Sequence, residues 1–593
     1  MCGIVGFIGA KPEKTLLQRL KQLEYRGYDS AGIAVKSNTE LKLFKAKGEI
    51  VNLENTVVPL ENSLLAIGHT RWATHGKPDE INAHPHVSSD GEWVVVHNGI
   101  IENYDKLKTL LEKRGYKFYS ETDTEVIAKL LEYFSLSYNR LDAIKQTCFA
   151  LEGSFALAII NAKENRIYFA KNKSPLYLAV TTNGLMLASD IICFKQFAEE
   201  YTVIEDNIFG YAENGIVEYH NKFGKVFPEK VKLDLQEYDL LNSYEHFMLK
   251  EIFETKLTIK NILEFYTREN ALKKVKKIDF NKINKIKLIG CGTAYHAALH
   301  GAKIFESKLG VECSAHVASE FRYSEPIIDK NTLVVLISQS GETADTLGAL
   351  ELCKGKGAIT FAVVNVEHST LAKQCDVFFP IKAGVEIAVA STKAFSAQIC
   401  TLYIIAEIIS EKLRKSLFNM AGIETLYGTL NYEDLNAYRA IADDLRYKDK
   451  LFMIGRGTDY ITALEASLKI KETSYINTDT YFAGELKHGF LALIEDDNFV
   501  IVFLTEKNTL KKTISNAEEA RARGAKIIYF TCFELEEEVE KKAYSVIKVE
   551  WIDNILQSVI NIVPWQLIAY YVSIGKGLNP DKPRNLAKSV TVE

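Results

Sequence analysis

IKLIGCGTAYHAAL (residues 286–299) and LFMIGRGTDYITAL (residues 451–464) follow one pattern, in which an apolar run ends at a Gly-x-Gly-Thr turn and a helical pattern follows. Two later pairs of segments occur in the same order, NTLVVLISQSGETADT (331–346) with NFVIVFLTEKNTLKKT (498–513) and GAITFAVVN (357–365) with GAKIIYFTC (524–532). Such apolar strands, separated by helices, are typical of a parallel sheet that is covered on both faces. The sequence therefore predicts a duplication, with a first repeat over 286–365 and a second repeat over 451–532.

Residues 1–240 have a different pattern, with short β-branched and aromatic runs between polar or glycine-bearing turns. Such runs are EWVVVHNGII (92–101), SFALAII (154–160) and RIYFA (166–170), and DTEVIAKLLEYF (123–134) has apolar residues at helical spacing. We interpret this part of the chain as an α+β domain. No linker rich in proline or glycine marks its end, so the charged run at 227–254 is the best candidate for the boundary.

The composition excludes several classes of protein. The 593 residues are 47% hydrophobic and 25% charged, which is ordinary for a globular chain of about three or four domains. A net charge of −5 gives no indication of binding to nucleic acid or to an anionic membrane. The nine cysteines include no Cys-x-x-Cys pair, and the N-terminus lacks a signal-peptide pattern. We therefore expect a cytoplasmic protein without a disulfide framework.

One uncharged stretch, NILQSVINIVPWQLIAYYVS (554–573), is long enough to span a membrane. It also contains six polar or helix-breaking residues, which are Asn554, Gln557, Ser558, Asn561, Pro564 and Gln566. We therefore predict a buried core helix rather than a membrane span.

The turn after the apolar run at 332–337 indicates an anion site. It reads Ser338-Gln339-Ser340-Gly341-Glu342-Thr343, and a helical pattern follows at once. The N-terminus of a helix favours an anion, and hydroxyl side chains add hydrogen-bond donors. Helix capping is the alternative, but four hydroxyl or amide side chains exceed what a cap needs. We predict that this turn binds a phosphate monoester. The preceding strand ends in a similar turn, Gly290-Cys291-Gly292-Thr293.

The second repeat has Thr505-Glu506-Lys507-Asn508 at the matching turn. A carboxylate in this position would repel a phosphate. We expect that this copy has lost the phosphate site and can supply another group.

Cys2 directly follows the initiator methionine in MCGIVGF (1–7). If Met1 is removed, the Cys2 thiol is a nucleophile whose own α-amine can act as the base, since an α-amine titrates near pH ~8. A buried cysteine on a first strand is the alternative interpretation, and these residues alone do not decide between the two.

Motifs along the whole chain resemble those of the glutamine–fructose-6-phosphate aminotransferase (isomerizing) family. They are CGIVGF (2–7), LEYRGYDSAGIAV (23–35), GHTRWATHG (68–76), HNGIIENY (97–104), SETDTEVI (120–127), LISQSGETADT (336–346), VASTKAF (389–395), GELKHG (484–489) and PRNLAKSVTVE (583–593). The resemblance implies an N-terminal-nucleophile (Ntn) hydrolase-type glutaminase domain over 1–240. It implies two sugar-isomerase (SIS) subdomains with parallel sheets, over 241–424 and 425–593. The implied reaction converts fructose 6-phosphate and glutamine to glucosamine 6-phosphate and glutamate, the first step of amino-sugar biosynthesis, with internal passage of ammonia.

For the glutaminase half, the resemblance implies a role for each residue that matches a family motif. Cys2 attacks the glutamine amide to give a thioester, and Asn98 and the Gly99 N–H form the oxyanion hole. Trp72 gates the ammonia passage. The residues implied to contact glutamine are Arg71 at the α-carboxylate, Asp123 at the α-ammonium, and Thr74 and His75.

For the isomerase half, the resemblance implies that Lys588 forms an imine with C2 of the open-chain ketose. Glu472, with Lys469 on the same helix face, moves a proton between C1 and C2. His488 opens the sugar ring from the neighbouring subunit, so at least a homodimer is expected. The apolar tail SVTVE (589–593) predicts a docked segment. The residues implied to bind the sugar phosphate are Thr293, Ser338, Gln339, Ser340, Thr343, Ser391 and Ala587.

Five positions in three segments differ from the family pattern. Ala294 replaces a serine and removes one hydrogen bond of ~1 kcal/mol. In the second segment, Asn477-Thr478-Asp479 replaces a His-Ala-Glu run. In the third, Phe490 replaces a proline, which is expected to free the backbone after His488. We expect these changes to affect sugar-phosphate affinity and the placement of His488 rather than the other catalytic groups.

The expected partners are L-glutamine, D-fructose 6-phosphate and a second copy of the chain, without nucleic acid, membrane, metal ion or organic cofactor. One alternative is an N-terminal-cysteine amidotransferase with a phosphoribosyl or aspartyl acceptor, against which the SIS-like repeats and Lys588 argue. Another is a non-catalytic sugar-phosphate sensor, but the sequence shows no helix-turn-helix or basic region that would act as an effector element.

Overall fold

The computed structural model describes residues 2–213, 215–233, 241, 243–432, 435–553 and 555–590. The chain divides into two compact units, one formed by Met1–Tyr238 with Ala587–Glu593 and the other by Asp239–Leu586. Residues 234–240 and 242 of the proposed boundary run, and residues 591–593 of the tail that the sequence predicts to be docked, lie outside the described residues.

The first unit combines fifteen described strands with five described helices. Its strands are β1 (Gly3–Gly9), β2 (Ser30–Ser37), β3 (Leu41–Lys47), β4 (Ser63–Arg71), β5 (His86–Val87), β6 (Trp93–Ile101), β7 (Gly153–Asn161), β8 (Ile167–Asn172), β9 (Tyr177–Thr181), β10 (Gly184–Ala188), β11 (Glu200–Val203), β12 (Ile208–Glu213), β13 (Ile216–Asn221), β14 (Gly224–Val226) and β15 (Lys230–Lys232). Its helices are α1 (Pro12–Leu23), α2 (Ile50–Glu54), α3 (Tyr104–Glu112), α4 (Glu125–Ser135) and α5 (Arg140–Ala150). The three strands and the helix that the sequence predicts are confirmed as β6, β7, β8 and α4.

Two antiparallel sheets pack face to face in this unit. Among the described residues, their strand orders are β15-β11-β9-β10-β1-β4-β2-β3 and β14-β13-β12-β8-β7-β6-β5. Ile4 and Ile67 of the first sheet share a core cluster with Val96 and Ala158 of the second, because alternate side chains of a strand point to one face. Helix α1 covers the outer face of the first sheet, and α4 covers that of the second. The α+β prediction is confirmed.

The second unit alternates strands with helices. Its strands are β16 (Lys285–Gly290), β17 (Glu312–Val317), β18 (Thr332–Ser338), β19 (Ile359–Val364), β20 (Val377–Pro380), β21 (Lys450–Gly455), β22 (Asn477–Phe482), β23 (Phe499–Leu504), β24 (Lys526–Thr531) and β25 (Ser545–Lys548). Its helices are α6 (Phe247–Phe253), α7 (Thr255–Phe265), α8 (Arg268–Lys274), α9 (Thr293–Leu309), α10 (Ala318–Phe321), α11 (Ala344–Gly355), α12 (Thr370–Gln374), α13 (Lys393–Lys412), α14 (Ala421–Thr429), α15 (Leu435–Leu445), α16 (Thr458–Ser474), α17 (Leu510–Arg521), α18 (Glu537–Lys542) and α19 (Gln557–Gly575).

Two parallel sheets of the same topology confirm the predicted duplication. In the part of the chain that the structure describes, their orders are β17-β16-β18-β19-β20 and β22-β21-β23-β24-β25. Helices α9 and α16, which follow the first strand of each repeat, begin after Gly292 and Gly457 at φ 54° and 55°. This left-handed region favours glycine, which explains why both turns have glycine in the same place.

Two long apolar helices belong to the core of the second unit. By length and composition, α13 and α19 could each cross a membrane, but 94% and 89% of their tested windows are buried inside the protein. Both helices contribute side chains to the largest hydrophobic cluster of this unit. The interpretation of 554–573 as a buried core helix is confirmed for its described residues, and Asn554 lies outside them.

Candidate active sites

The start of β1 places Cys2 beside the end of β4. The backbone N–H of Trp72 donates to Cys2 Sγ at 3.2 Å, and Sγ lies 3.5 Å from the Trp72 carbonyl oxygen. The antiparallel pairing of β1 with β4, in which Gly3 faces Thr70, fixes this position. Burial raises the pKa of the Cys2 thiol, although the Trp72 N–H and the Arg71 charge oppose the rise. The thiol therefore needs a base before it can act as a nucleophile.

The end of β6 brings Asn98 to the same pocket. Asn98 Nδ2 donates to the Cys2 carbonyl oxygen at 3.0 Å, and Asn98 Oδ1 accepts from His69 Nε2 at 3.0 Å. The next residue, Gly99, has φ 131°, and a Cβ at this position would clash with a carbonyl of β7. Glycine is therefore required where the predicted oxyanion hole lies.

Arg71 ends β4 and organises the loop that follows it. Its buried guanidinium donates to the carbonyl oxygens of residues 75–77. Within this loop Thr74 is exposed, and its Oγ1 lies 3.4 Å from His75 Nδ1. Asp123 precedes α4, is buried, and accepts from a backbone N–H of β6 at 2.8 Å. Arg71 and Asp123, the two charged residues predicted to bind glutamine, therefore each use hydrogen bonds to hold the pocket itself.

His69, the hydrogen-bond partner of Asn98, belongs to a group of four buried histidines. The ring centroids of His69 and His84 are 4.1 Å apart, and those of His84 and His86 are 4.9 Å apart. Burial lowers the pKa of these three histidines and of His97, to about 3 for His69. Because all four are neutral near pH 7 and hold protons weakly, they are poor bases for the Cys2 thiol.

The loop after β18 presents hydroxyl groups at the start of α11. The Gly341 N–H donates to Ser338 Oγ at 2.9 Å, and Ser338 Oγ lies 3.1 Å from Thr343 Oγ1. Glu342 is engaged elsewhere, because its carboxylate accepts from the first N–H of α12 at 2.8 Å. This arrangement of hydroxyls and a helix N-terminus suits a phosphate. The other predicted ligands of the loop, which are half-buried, are Gln339 and Ser340.

A buried ionic cluster joins the two repeats. Lys469 of α16 is completely buried and pairs with Glu472 at 2.6 Å and with Glu465 at 3.4 Å. Thr293 of α9 donates to Glu465 at 3.0 Å and accepts from Lys469 at 3.1 Å. Burial favours a lower pKa for Lys469, but Glu472 and Glu465 outweigh it, so the pKa is raised and the amine is charged. The predicted base Glu472 thus belongs to one network with Thr293.

Ser391 lies just before α13 and contacts a carboxylate that sequence analysis missed. Ser391 Oγ donates to Glu386 at 2.8 Å, and the other oxygen of Glu386 accepts from the N–H groups of Thr392 and Ala394 at 2.9 and 3.1 Å. Glu386 therefore caps the start of α13 and positions the predicted sugar contact Ser391.

Phe490 anchors the segment that follows His488. It is 3% exposed, and its ring centroid lies 4.9 Å from that of Phe452 and 4.5 Å from that of Tyr481. Burial of the ring packs this segment against the second parallel sheet, and the effect of the missing proline on the backbone stays a prediction. His488 itself is exposed, as is Asn477 at the start of β22.

The predicted imine residue lies in the short C-terminal segment of the first compact unit. Ala587 and Lys588 are half-buried there. Just before them, the Arg584 guanidinium lies 4.2 Å from the ring centroid of Tyr475, and the Arg584 N–H donates to the Tyr475 hydroxyl at 2.7 Å. The imine role of Lys588 stays a prediction.

Sequence analysis also missed Glu465 and His296. The Nδ1 atom of His296 lies 2.6 Å from the Glu465 carboxylate. Their spacing was a usable signal, since Glu465 precedes Lys469 by one helical turn and His296 follows Thr293 by one turn.

His296 and His300 form a His-x₃-His pair, a spacing found in zinc sites, which the expectation of no metal overlooked. The described residues contain no group of three or more His, Cys, Asp or Glu side chains placed to hold a metal ion.

Comparison with known proteins covers the whole chain. A glutamine amidotransferase domain model matches residues 69–196, and a SIS domain model matches residues 279–408 and 444–575. A Clostridium acetobutylicum protein named glutamine–fructose-6-phosphate aminotransferase [isomerizing] is 41% identical, and one of the same name from Thermococcus kodakarensis is 40% identical, each with 100% of both chains covered. A solved C-terminal domain of glucosamine-fructose-6-phosphate aminotransferase from Francisella tularensis is 32% identical, with a TM-score of 0.53, and covers 58% of this chain and 100% of its own.

Proposed function

The chain belongs to the glutamine–fructose-6-phosphate aminotransferase (isomerizing) family, and we propose that it converts D-fructose 6-phosphate and L-glutamine to D-glucosamine 6-phosphate and L-glutamate. The observation that carries this proposal is that one chain combines the Cys2 pocket with a hydroxyl-lined loop and a buried lysine–carboxylate cluster. We assign the glutaminase to residues 1–240, and the two SIS subdomains to 241–424 and 425–593. The product places the reaction at the start of amino-sugar biosynthesis.

In the glutaminase, Cys2 Sγ attacks the side-chain amide carbon of glutamine. The α-amine of Cys2 is the base, because the buried histidines near Asn98 hold protons too weakly near pH 7. Asn98 Nδ2 and the Gly99 N–H stabilise the oxyanion, and each such donor is typically worth ~10²–10³ in rate. Ammonia leaves, and water then releases glutamate from the thioester. The contacts proposed for the bound glutamine are Arg71, Thr74, His75 and Asp123, with Trp72 as the gate for ammonia.

In the isomerase, the loop after β18 holds the phosphate of fructose 6-phosphate through Ser338, Gln339, Ser340 and Thr343, with Thr293, Ser391 and Ala587 at the sugar. Lys588 forms an imine at C2, and ammonia displaces the lysine amine to give the amino-sugar imine. Glu472 then takes a proton from C1 and returns one to C2. The charged Lys469 at 2.6 Å supports this role, because it favours the ionised form of Glu472.

The proposed assembly is a cytoplasmic homodimer. His488 is exposed at the end of the turn Ala483–His488, where it can serve the ring-opening step of a neighbouring subunit. The residues of the pocket and of the cluster require no metal or organic cofactor for the steps above.

Two variants separate the two half-reactions. Cys2→Ala is expected to abolish glutamine-dependent synthesis and to leave fructose 6-phosphate binding intact, because only the nucleophile is lost. Lys588→Arg is expected to abolish the borohydride-trapped adduct with fructose 6-phosphate, measured by intact mass, while the exposed-site control Lys576→Arg retains it. Glutamine hydrolysis by Cys2→Ala, or an undiminished adduct in Lys588→Arg, would refute the corresponding assignment.

A further inference from the structure

The two sheets of the first unit meet at a polar contact beside the Cys2 pocket. His69 on β4 follows the core residue Ile67 by two positions, and Asn98 on β6 follows the core residue Val96 by two. Because alternate side chains of a strand share a face, His69 and Asn98 point from facing sheets into the same interface. Both are buried, and His69 Nε2 lies 3.0 Å from Asn98 Oδ1. A side-chain hydrogen bond therefore joins the sheets where the proposed oxyanion donor lies.

The partners of the Asn98 amide determine which way round it lies. The Cys2 carbonyl oxygen can only accept, so the amide atom 3.0 Å from it is the donating Nδ2. The His97 carbonyl oxygen, 2.9 Å from His69 Nε2, can also only accept, so this ring nitrogen carries a hydrogen. The amide atom that faces Nε2–H is therefore the accepting Oδ1. A rotated amide would place its oxygen against the Cys2 carbonyl oxygen and its NH₂ group against Nε2–H.

We propose that His69 is a positioning residue of the glutaminase, whose Nε2–H holds Oδ1 of Asn98 and thereby keeps Nδ2 turned toward the place where the oxyanion forms. The inference rests on the proposed role of Asn98 as an oxyanion donor. Since Nδ2 has two hydrogens and the Cys2 carbonyl takes one, the second can serve the oxyanion. His69 acts through Asn98 rather than on the substrate.

The ring of His69 is itself held in place. It stacks on His84, with centroids 4.1 Å apart and an interplanar angle of 16°. Burial lowers the pKa of His69 to about 3, so near pH 7 the ring is neutral and its one ring N–H is Nε2–H. Within the described ranges, Nδ1 has no hydrogen-bond partner. Because a buried polar atom without a partner costs free energy, an apolar residue would suit this interface better if packing were the only role of His69.

Loss of the Nε2–H donor leaves Asn98 Oδ1 buried without its partner on β4 and lets the amide turn. An oxyanion donor acts in the transition state, so we expect kcat for glutamine hydrolysis to fall while KM stays within ~2-fold of the wild type. Complete removal of such a donor costs ~10²–10³ in rate, and we expect loss of its positioning to cost ~10-fold or more.

The experiment measures kcat and KM for glutamine hydrolysis by the full-length protein. His69→Gln and His69→Leu both lose the ring, but only the glutamine has an amide N–H that can reach the position of Nε2. We expect His69→Gln to keep kcat within ~3-fold of the wild type and His69→Leu to lose ~10-fold or more. The control His86→Leu removes another imidazole of the same group, one that contacts Thr122 rather than Asn98, and is expected to leave kcat unchanged.

A double-mutant comparison separates positioning from a merely structural role. If His69 acts through Asn98, His69→Leu costs little further in the background of Asn98→Ala, because the group that it positions is gone. A structural role lowers kcat by the same factor in both backgrounds, and this result overturns the inference. So does a His69→Gln variant that loses as much activity as His69→Leu.

If His69→Leu does not fold, as judged by thermal melting, His69→Asn takes its place, since the asparagine amide ends where Nδ1 stands and does not reach Asn98. A loss of kcat that disappears in the Asn98→Ala background supports the inference, and an additive loss refutes it. An Asn98→Ala variant that hydrolyses glutamine at the wild-type rate refutes the oxyanion role in the proposed function, and the inference with it.

Discussion

The two parallel-sheet repeats share a topology, yet their strand-end turns differ in charge. In the first repeat Ala294 stands in the first turn of α9, and a Cβ added to Gly292 would meet no atom within 4 Å. In the second repeat the matching residue of α16 is Asp459, and the Glu506 carboxylate accepts from the Thr458 N–H at 2.5 Å. A carboxylate of the protein thus takes the helix N-terminus in the second copy, whereas the residue of the first copy that matches Glu506 is the uncharged Gln339. The duplication preserves the scaffold, and a few side chains decide which copy can bind an anion.

Asp459 completes the difference between the repeats. It accepts from the N–H groups of Thr505 and Glu506 at 2.8 and 3.2 Å, and burial raises its pKa to about 7. Backbone donors that could contact a phosphate are therefore used within the protein. These hydrogen bonds support the expectation that the second copy has lost the phosphate site. In the sequence, repulsion of a phosphate by Glu506 was the only argument for that loss.

The largest expected effect comes from moving the carboxylate of the second repeat into the first. Ala294→Asp places a negative charge beside the proposed phosphate site, which costs ~3 kcal/mol at a separation of about 5 Å. We expect the KM for fructose 6-phosphate to rise at least ~100-fold. Glutamine hydrolysis by the same variant, assayed without sugar, is the control and is expected to be unchanged. An unchanged KM would show that the first repeat does not hold the phosphate at this turn.

Removal of one hydroxyl tests the loop itself. Ser340→Ala is expected to raise the KM for fructose 6-phosphate roughly 10- to 100-fold, because a hydrogen bond to a charged group contributes ~1.5–3 kcal/mol. Thr509→Ala removes a hydroxyl from the corresponding turn of the second repeat and is expected to change KM less than ~2-fold. Equal effects of the two substitutions, in steady-state kinetics, would remove the distinction between the repeats.

The raised pKa of Asp459 predicts a pH-dependent stability. The folded protein keeps a proton on Asp459 up to about pH 7, whereas the unfolded chain releases it near pH ~4. The free energy of unfolding therefore falls as pH rises between these values. Asp459→Asn cannot lose the proton, so its Tm relative to the wild type is expected to increase by a few degrees between pH 5 and pH 8.

Differential scanning calorimetry of the two proteins at several pH values measures this change. The exposed-residue control Asp497→Asn is expected to show no such gain. A Tm difference for Asp459→Asn that is constant from pH 5 to pH 8 would contradict the account of the second turn.

The smallest effect is expected from restoring the hydroxyl that the first repeat lacks. Ala294→Ser adds one donor next to the phosphate loop and is expected to lower the KM for fructose 6-phosphate about 5-fold, equivalent to ~1 kcal/mol. The same kinetic assay measures it. A higher KM would show that this position does not face the phosphate.

Local patterns predicted most of the fold, because apolar strands and Gly-x-Gly-Thr turns recur in both repeats. The hydroxyl-rich loop was also predictable, since all its groups lie within six residues. The ionic cluster was not, because Glu465 reaches His296 and Thr293 only when α16 packs against α9. The anchoring of Phe490 was missed for the same reason, since its partners Phe452 and Tyr481 are brought to it by the sheet.

We expect nitrogen released at Cys2 to reach the sugar phosphate held by the same protein. The most direct test supplies amide-¹⁵N glutamine and fructose 6-phosphate in the presence of excess unlabelled ammonium, and measures the products by mass spectrometry. We expect ¹⁵N-labelled glucosamine 6-phosphate in equal amount to glutamate, and no label transfer by Cys2→Ala. Glutamate that forms without labelled amino sugar would contradict it.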